Sequence, residues 1–138
     1  MPSIFSKIIA KEIPAHFVYE DDRVVAFLDI SQATKGHTLV VTKEEYTDIL
    51  GMPEELSAHL FKVVTILSKA ITKAFNPQGV NILSNNGETA GQTVFHFHMH
   101  IIPRYEKSDV TFLLKNNMGS LSTDDYRERA KLIKAALS

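Results

Sequence analysis

Three histidines, His96, His98 and His100, alternate with apolar residues in one short segment of the chain. In a β-strand successive side chains point to opposite faces, so we expect the three imidazoles to share one face, each about 7 Å from the next. The other face should be apolar and pack under a helix; its residues are Phe95, Phe97, Met99 and Ile101. One face of this segment contributes apolar side chains to the core and the other presents three imidazoles. This division favours a chemical role for the histidines.

Three interpretations of these imidazoles compete. A histidine buried and satisfied by hydrogen bonds is common, but three in register on one face disfavour that interpretation. Two histidines at i and i+2 can bind one zinc ion, although such a site usually has a third ligand and carboxylates behind the imidazoles. The nearest acids, Glu88 and Glu106, lie off the predicted strand. Nucleophilic catalysis by one imidazole, with the others positioning and protonating, is therefore favoured, and a zinc site is the alternative.

Short apolar and β-branched runs predict the strands of the sheet that carries the histidines. Asp21-Asp22 suits the hairpin turn between the first two. The histidine strand is expected over Val94–Ile102, where Pro103 should stop it. The other strands are predicted at Phe17–Glu20, Arg23–Ile30, Thr38–Thr42 and Val80–Leu83.

A long amphipathic helix is predicted over Glu54–Phe75, because its apolar residues recur at spacings of three and four. Pro53 suits its first helical position, and Asn76-Pro77 should end it. A short N-terminal helix should end before Pro14, and a last helix is predicted over Thr123–Leu137 with Ser122 as N-cap. One long helix with strands joined by short turns predicts an α+β domain with a mainly antiparallel sheet of about five strands.

Composition narrows the class of protein. A chain of 138 residues, 44% hydrophobic and 22% charged, predicts one soluble globular domain over residues 1–138. A net charge of −1 without a basic stripe makes nucleic acid an unexpected partner. The chain has no cysteine, which excludes disulfides, thiolate metal sites and cysteine nucleophiles. It has neither a signal-peptide pattern nor a membrane-spanning run, so we expect a cytoplasmic protein without membrane contact.

The alternating histidines match the motif of the histidine triad (HIT) family of nucleotide hydrolases and transferases, which the chain resembles over nearly its whole length. Within that family it is most similar to the Hint-like (histidine triad nucleotide-binding) branch, bacterial type. Four segments carry the resemblance: Ser3–Pro14 resembles the opening helix, Phe27–Ile30 and Gly36–Leu39 the ribose and base segments, and Asn85–Thr93 the phosphate loop.

By this resemblance His98 is the nucleophile and His100 contacts the phosphate, while His96 and His37 orient the nucleophile strand through hydrogen bonds. A backbone carbonyl that holds Nδ1–H of His98 would aim its Nε2 lone pair at phosphorus. With a reference pKa near 6.5, His98 should be largely neutral at pH 7. His16 and His59 match no family position, and we interpret them as surface or structural residues.

The resemblance also implies the nucleotide contacts. Asp29 would bind the ribose hydroxyls, because a carboxylate can accept two hydrogen bonds, although an acid there could instead cap a turn. The apolar slot for the base would comprise Ile4, Phe5, Ile8, Phe27, Ile30 and Leu39. The polar positions around ribose and phosphate would be Asn85, Gly91, Gln92 and Thr93, with Gly91 permitting close backbone approach.

One departure from the family concerns metal. Some bacterial relatives carry a Cys-x-x-Cys pair in the opening helix that helps to bind a structural zinc, and here those positions are Ser3 and Ser6. Those relatives also place a histidine where this chain has Lys43-Glu44-Glu45. We therefore expect no structural zinc, and the resemblance implies neither a catalytic metal nor a cofactor.

The implied function is hydrolysis of purine nucleoside 5′-phosphoramidates or related nucleotidyl conjugates through a covalent nucleotidyl-histidine, by a homodimer. Gln92-Thr93 and Pro103-Arg104 also resemble the branch that cleaves dinucleoside polyphosphates, which makes that activity the enzymatic alternative. A nucleotide-binding regulatory protein with weak catalysis and a zinc-binding module are the non-enzymatic alternatives.

Overall fold

Five antiparallel strands form one sheet in the order β1-β2-β3-β5-β4 in the computed structural model, which describes residues 2–137. The strands are β1 (Phe17–Glu20), β2 (Val24–Leu28), β3 (Thr38–Thr42), β4 (Gly79–Leu83) and β5 (His98–Arg104). The helices are α1 (Ile4–Ile9), α2 (Glu54–Phe75) and α3 (Thr123–Ala136). This confirms the predicted α+β architecture.

The main core lies between α2 and one face of the sheet. The apolar stripe of α2 packs on strand residues such as Val24, Val40 and Ile101. The helix has the predicted bounds, but Pro53 is its N-cap and not its first helical residue. Asn76 ends it in the left-handed conformation, with φ of 51°, which asparagine tolerates better than most residues.

The opposite face of the sheet is covered in part by α1. Phe5 and Ile8 are buried there against Phe27, Leu39 and Val41. Strand β2 is shorter than the predicted Arg23–Ile30, because Asp29 turns the chain by accepting hydrogen bonds from the amide and hydroxyl of Ser31.

The prediction of a strand over Val94–Ile102 was wrong at both ends, since β5 spans His98–Arg104. Residues 94–96 form a bend, and the amide of Phe97, which follows it, donates to the carbonyl of Tyr46 at 2.6 Å. His96 therefore precedes the strand that it was expected to share with His98.

Pro103 does not stop β5 because nothing requires an N–H group there. The carbonyl of Arg104 accepts from Gln78 on the side of β4, so the backbone of Pro103 faces the other side. On that side β3 has already ended, its last pair being Thr38 with Ile101. A proline in a strand is tolerated where the ladder is absent.

Phe97, Met99 and Ile101 lie under α2 as expected, but Phe95 is 48% exposed, so its predicted place in the core was wrong. The bend at residues 94–96 breaks the alternation on which that prediction depended. None of the helices within residues 2–137 is both long and apolar enough to cross a membrane.

Candidate active site

A cavity of about 570 Å³ opens on the face of the sheet that α1 partly covers. Its walls come from α1, the ends of β2 and β3, the loop that precedes β5, and β5 itself. The lining residues are Ile4, Phe5, Ile8, Ile13, Pro14, Ala15, His16, Phe27, Leu28, Asp29, Ile30, Leu39, Asn85, Gly91, Gln92, Thr93, Val94, His98 and His100.

The structure brings every residue that the sequence proposed for nucleotide contact onto this wall, together with His98 and His100. These residues differ in how far they are buried. Phe5, Phe27 and Leu39 are buried, whereas Ile30 is 90% exposed and can touch a ligand only at the rim. His37 and His96 are buried behind the wall and do not line the cavity.

A hydrogen bond fixes the tautomer of His98. Its Nδ1 lies 2.7 Å from the carbonyl oxygen of His96, which can only accept, so Nδ1 carries the proton and Nε2 carries the lone pair. The ring of Phe5 packs edge-on against it, with centroids 4.9 Å apart. Because His98 is nearly buried and lines the cavity, Nε2 is the ring nitrogen left for a ligand.

His100 has the opposite tautomer, set by His37. The amide of Ala33 donates to Nδ1 of His37 at 3.3 Å, so His37 carries its proton on Nε2. That Nε2–H donates to Nδ1 of His100 at 2.9 Å, which leaves the proton of His100 on Nε2. The cavity is thus offered a lone pair by His98 and an N–H donor by His100, whose ring centroids are 5.1 Å apart.

His96 joins α1 to His98, the predicted nucleophile. Its Nε2–H donates to the carbonyl of Thr42 at 2.7 Å, so the hydroxyl of Ser3 donates to its Nδ1 at 2.6 Å. A carboxylate oxygen of Glu45 accepts from the amide of Ser3 and from the hydroxyl of Ser6. These contacts connect the serines of α1 to Glu45 and His96 through hydrogen bonds.

Burial keeps the imidazoles neutral. It lowers the pKa of His37, His96 and His98 below the usual 6.5. Burial, followed by the neighbouring His98 and His37, lowers the pKa of His100 to about 4. Burial alone would raise the pKa of Asp29, but hydrogen bonds from Ser31 outweigh it and the pKa lies below its usual value.

We expect the lowered pKa values of these four histidines to make the folded protein acid-sensitive below pH 6.5. A histidine whose pKa is lowered by folding binds more protons when unfolded, so its contribution is complete above pH 6.5 and is lost as the pH falls toward the folded pKa. With a folded pKa of about 4, His100 alone should contribute roughly 3 kcal/mol to that loss.

Urea denaturation followed by circular dichroism at pH 7, 5.5 and 4.5 would measure this effect. The variant His100→Asn should show a shallower decline than the natural chain. An unfolding free energy that stays constant between pH 6.5 and 4.5 would contradict buried neutral imidazoles.

The loop before β5 is shaped by Gln92. Its side-chain oxygen accepts from the amide of Gly87 at 2.7 Å, and its side-chain nitrogen donates to the carbonyls of Thr47 and Val94. Gln92 lines the cavity, but these three bonds occupy its amide, and one of them ties the loop to Thr47, which follows β3. Gly91 has φ of 99°, a conformation that glycine adopts without strain.

Sequence reasoning missed the segment between α1 and β1, which contributes Ile13, Pro14, Ala15 and His16 to the wall. His16 had been interpreted as a surface or structural residue; it is exposed, but at the cavity. The antiparallel pairing of Phe17 with Phe27 places this segment beside the end of β2, so the hairpin pattern was the available signal. His59 lies elsewhere, with its Nε2 at 2.7 Å from Asp21.

One cluster among the described residues could hold a metal ion: atoms of Asp29, His37 and His100 lie within 4.8 Å of one another. Its geometry fits hydrogen bonding better. Two nitrogens on one zinc would be about 3.3 Å apart, from Zn–N bonds of about 2.0–2.1 Å, whereas those of His37 and His100 are 2.9 Å apart. A metal on Nε2 of His37 would also require a proton on Nδ1, facing the amide of Ala33.

Comparison with known proteins identifies the family of the chain. The HIT domain model matches residues 10–107. Protein hit of Bacillus subtilis is 56% identical over 106 residues, 77% of this chain and 73% of that protein. Adenylylsulfatase HINT3 of Arabidopsis thaliana is 40% identical over 104 residues, 75% of this chain and 53% of that protein.

A crystal structure of a HIT family member from Bacillus subtilis superposes with a TM-score of 0.95 at 45% identity, covering 100% of this chain and 99% of that one. Both the sequence match and the structural match thus extend over most of the chain. The chain therefore belongs to the HIT family, and its relatives include members of the Hint-like branch.

Proposed function

We propose that this protein hydrolyses purine nucleoside 5′-phosphoramidates or related nucleotidyl conjugates through a covalent intermediate on His98. The observation that carries the proposal is the bond between Nδ1–H of His98 and the carbonyl of His96, which leaves the Nε2 lone pair facing the cavity. The name of the Arabidopsis relative, an adenylylsulfatase, supports an adenylyl conjugate as substrate class.

In the first step Nε2 of His98 attacks the α-phosphorus, and the bond from phosphorus to the leaving group breaks. The leaving amine takes the electron pair of that bond and a proton from solvent. As positive charge develops on the imidazole of His98, the carbonyl of His96 stabilises it through Nδ1–H. In the second step water attacks phosphorus, the electron pair returns to Nε2, and the proton lost by water balances the one taken by the amine.

His100 acts in this scheme as a neutral donor. Because its pKa lies at about 4, it is not an imidazolium at neutral pH, and its Nε2–H can donate to a non-bridging phosphate oxygen. His37 holds it in that tautomer from behind. Asp29 is ionised and lines the cavity, where its carboxylate can accept from ribose hydroxyls.

The cavity favours a small leaving group over a polyphosphate. Among the described residues that line it there is no lysine or arginine to neutralise additional phosphates. Arg104, which raised the polyphosphate alternative, points elsewhere: its guanidinium donates to Asn81 and to the carbonyls of Lys107 and Val110. The dinucleoside polyphosphate hydrolase is thus the weaker of the two enzyme candidates.

Competition between two substrates tests the proposal. We expect the protein to consume an adenosine phosphoramidate in preference to diadenosine tetraphosphate when both are supplied at equal concentration. Quenching a labelled phosphoramidate reaction in mild base should leave label on His98, because phosphoramidate bonds survive base better than acid. A preference for the tetraphosphate would overturn the substrate class, and rapid turnover without label on His98 would overturn the covalent route.

A homodimer belongs to the same proposal. Strand β4 is an edge of the sheet, and beside it α2 exposes Phe61. Between them lies a groove of about 540 Å³ whose lining includes Phe61, Val80 and Ile82. An exposed apolar surface next to a free strand edge is the kind of surface that a second copy can cover by two-fold symmetry.

A further inference from the structure

The segment from Thr111 to Leu137, here called the C-terminal arm, leaves the body of the chain without packing against it. All of its residues are exposed except Leu121, which is half-buried. Its side-chain hydrogen bonds, within the described residues, join arm residues to one another. Large apolar side chains lie open along it, such as Leu113, which is 95% exposed.

Helix α3 within the arm carries an apolar stripe. Tyr126, Ala130, Ile133 and Leu137 follow one another at spacings of four, three and four, so they lie on one side of the helix. None of them is buried by the described chain. Isolated helices shorter than about 12–15 residues are marginal in water, and α3 has 14 residues. The capping box stabilises only the N-terminal end of α3. Burial of the apolar stripe is therefore needed to keep the helix folded.

The arm is nevertheless placed as in a crystal structure. The Bacillus subtilis HIT protein superposes over the whole of this chain with a TM-score of 0.95. The arm makes up roughly a fifth of the chain, and that score would be out of reach if the arm were displaced. A segment that does not pack on its own body keeps one position only if another molecule holds it.

Charge favours a second copy as that molecule. The arm carries five basic and three acidic residues, whereas residues 1–110 carry ten basic and thirteen acidic ones. A basic arm and an acidic body attract each other, and two copies supply both surfaces reciprocally.

The root of the arm lies next to the proposed dimer surface. Arg104, at the end of β5, donates to the carbonyls of Lys107 and Val110 and fixes the direction in which the arm leaves. Gly79 and Val80 of the edge strand β4 line the same shallow pocket as Arg104 and Lys107. The arm therefore departs from the edge at which a second copy would meet this chain.

We propose that the C-terminal arm is exchanged between two copies, so that the apolar stripe of α3 packs against the other copy. This inference rests on the homodimer proposed above and adds a second, reciprocal contact to it. The arm lies beyond the residues matched by the HIT domain model, which end at residue 107. It is thus an addition that strengthens the assembly of the domain and not a part of the domain core.

Photo-crosslinking in the full-length chain tests the exchange. Tyr126 would be replaced by benzoylphenylalanine, and a matched variant would carry the same group at Lys131, on the opposite side of α3. Light scattering should give the mass of two chains for both variants. Illumination should then yield a covalent two-chain product from position 126 and little from position 131. In the unlabelled protein the amides of α3 should be protected from hydrogen exchange.

A pair of double variants measures the contribution of the stripe. Tyr126→Gln with Ile133→Gln should weaken self-association by roughly 100-fold, from the loss of two buried apolar side chains. Glu128→Gln with Lys131→Gln should leave it unchanged. A two-chain mass with crosslinks only inside one chain would overturn the exchange and leave the homodimer intact. A one-chain mass with freely exchanging α3 amides would overturn both.

Discussion

Replacing His98 with alanine should reduce turnover of an adenosine phosphoramidate by about 10⁴-fold or more, because the covalent intermediate of the proposed mechanism forms on Nε2 of this residue. His98 is the imidazole that presents a lone pair to the cavity, whereas His100 presents a proton. Nucleotide affinity should change little, since the base slot and Asp29 are retained. Steady-state kinetics and nucleotide titration on the same preparation would separate the two effects.

The variant His59→Ala is the matched control for this prediction. His59 lies outside the cavity, with its Nε2 on the carboxylate of Asp21, so its removal should leave turnover within about twofold. Added imidazole should restore part of the activity of His98→Ala by occupying the vacated space. Turnover of His98→Ala within tenfold of the natural chain would end the proposal of a nucleophilic imidazole.

Replacing His96 with alanine should lower the free energy of unfolding by about 3–5 kcal/mol, the usual cost of a large cavity with buried polar groups left unpaired. His96 is fully buried, and its ring bonds to Ser3 on one side and to Thr42 on the other. The backbone carbonyl that holds His98 persists in the variant but loses its support. Turnover by the folded protein should therefore fall less than in His98→Ala, by about 10- to 100-fold.

Chemical denaturation followed by circular dichroism measures this effect, because the chain has no tryptophan to report unfolding. Ser3→Ala is the milder comparison, since it removes the hydroxyl that donates to His96 and accepts from the amide of Ser6 but leaves the ring of His96 in place. It should cost about 1 kcal/mol. If His96→Ala were as stable as the natural chain, His96 could not be the link between α1 and the nucleophile.

Periodicity alone predicted much of the fold. The spacing of Leu56, Leu60 and Val63 identified α2, because a helix that packs on a sheet needs one continuous apolar stripe. The run at Thr38–Thr42 identified β3, whose residues are buried on both faces. These elements satisfy local and tertiary preferences at once, so sequence was enough to find them.

The entry into β5 could not be predicted from local pattern. Alternation of His and Phe continues back to Phe95, yet the chain bends there so that the carbonyl of His96 can meet the ring of His98. That contact is local, but the bond from Phe97 to Tyr46 is tertiary, and it overrides the tendency of the segment to remain extended. Pro103 was misjudged for a related reason, since its tolerance depends on where β3 ends.

The members of the cavity wall were predicted better than their interactions. Residue types and family resemblance pointed to Asp29, His98 and His100. Neither could show that the side-chain amide of Gln92 would be occupied by backbone groups of Gly87 and Thr47, because those bonds depend on how the loop folds against the segment after β3. The tautomers of His37 and His100 likewise depend on the amide of Ala33, which bonds to His37, and on the contact between the two rings, which are 63 residues apart in sequence.

The anchoring of α1 through Ser3 has an evolutionary consequence. Phe5 and Ile8 of that helix line the cavity, while the hydroxyl of Ser3 donates to the ring of His96, the residue whose backbone carbonyl accepts from Nδ1–H of His98. A shift of α1 that made room for a bulkier base would also weaken the contacts that orient His98 for attack on phosphorus. Under the proposed function we therefore expect affinity and catalytic rate to change together in variants of Ser3. We expect new specificities to be more accessible at Ile30 and Thr93, which line the cavity and are exposed.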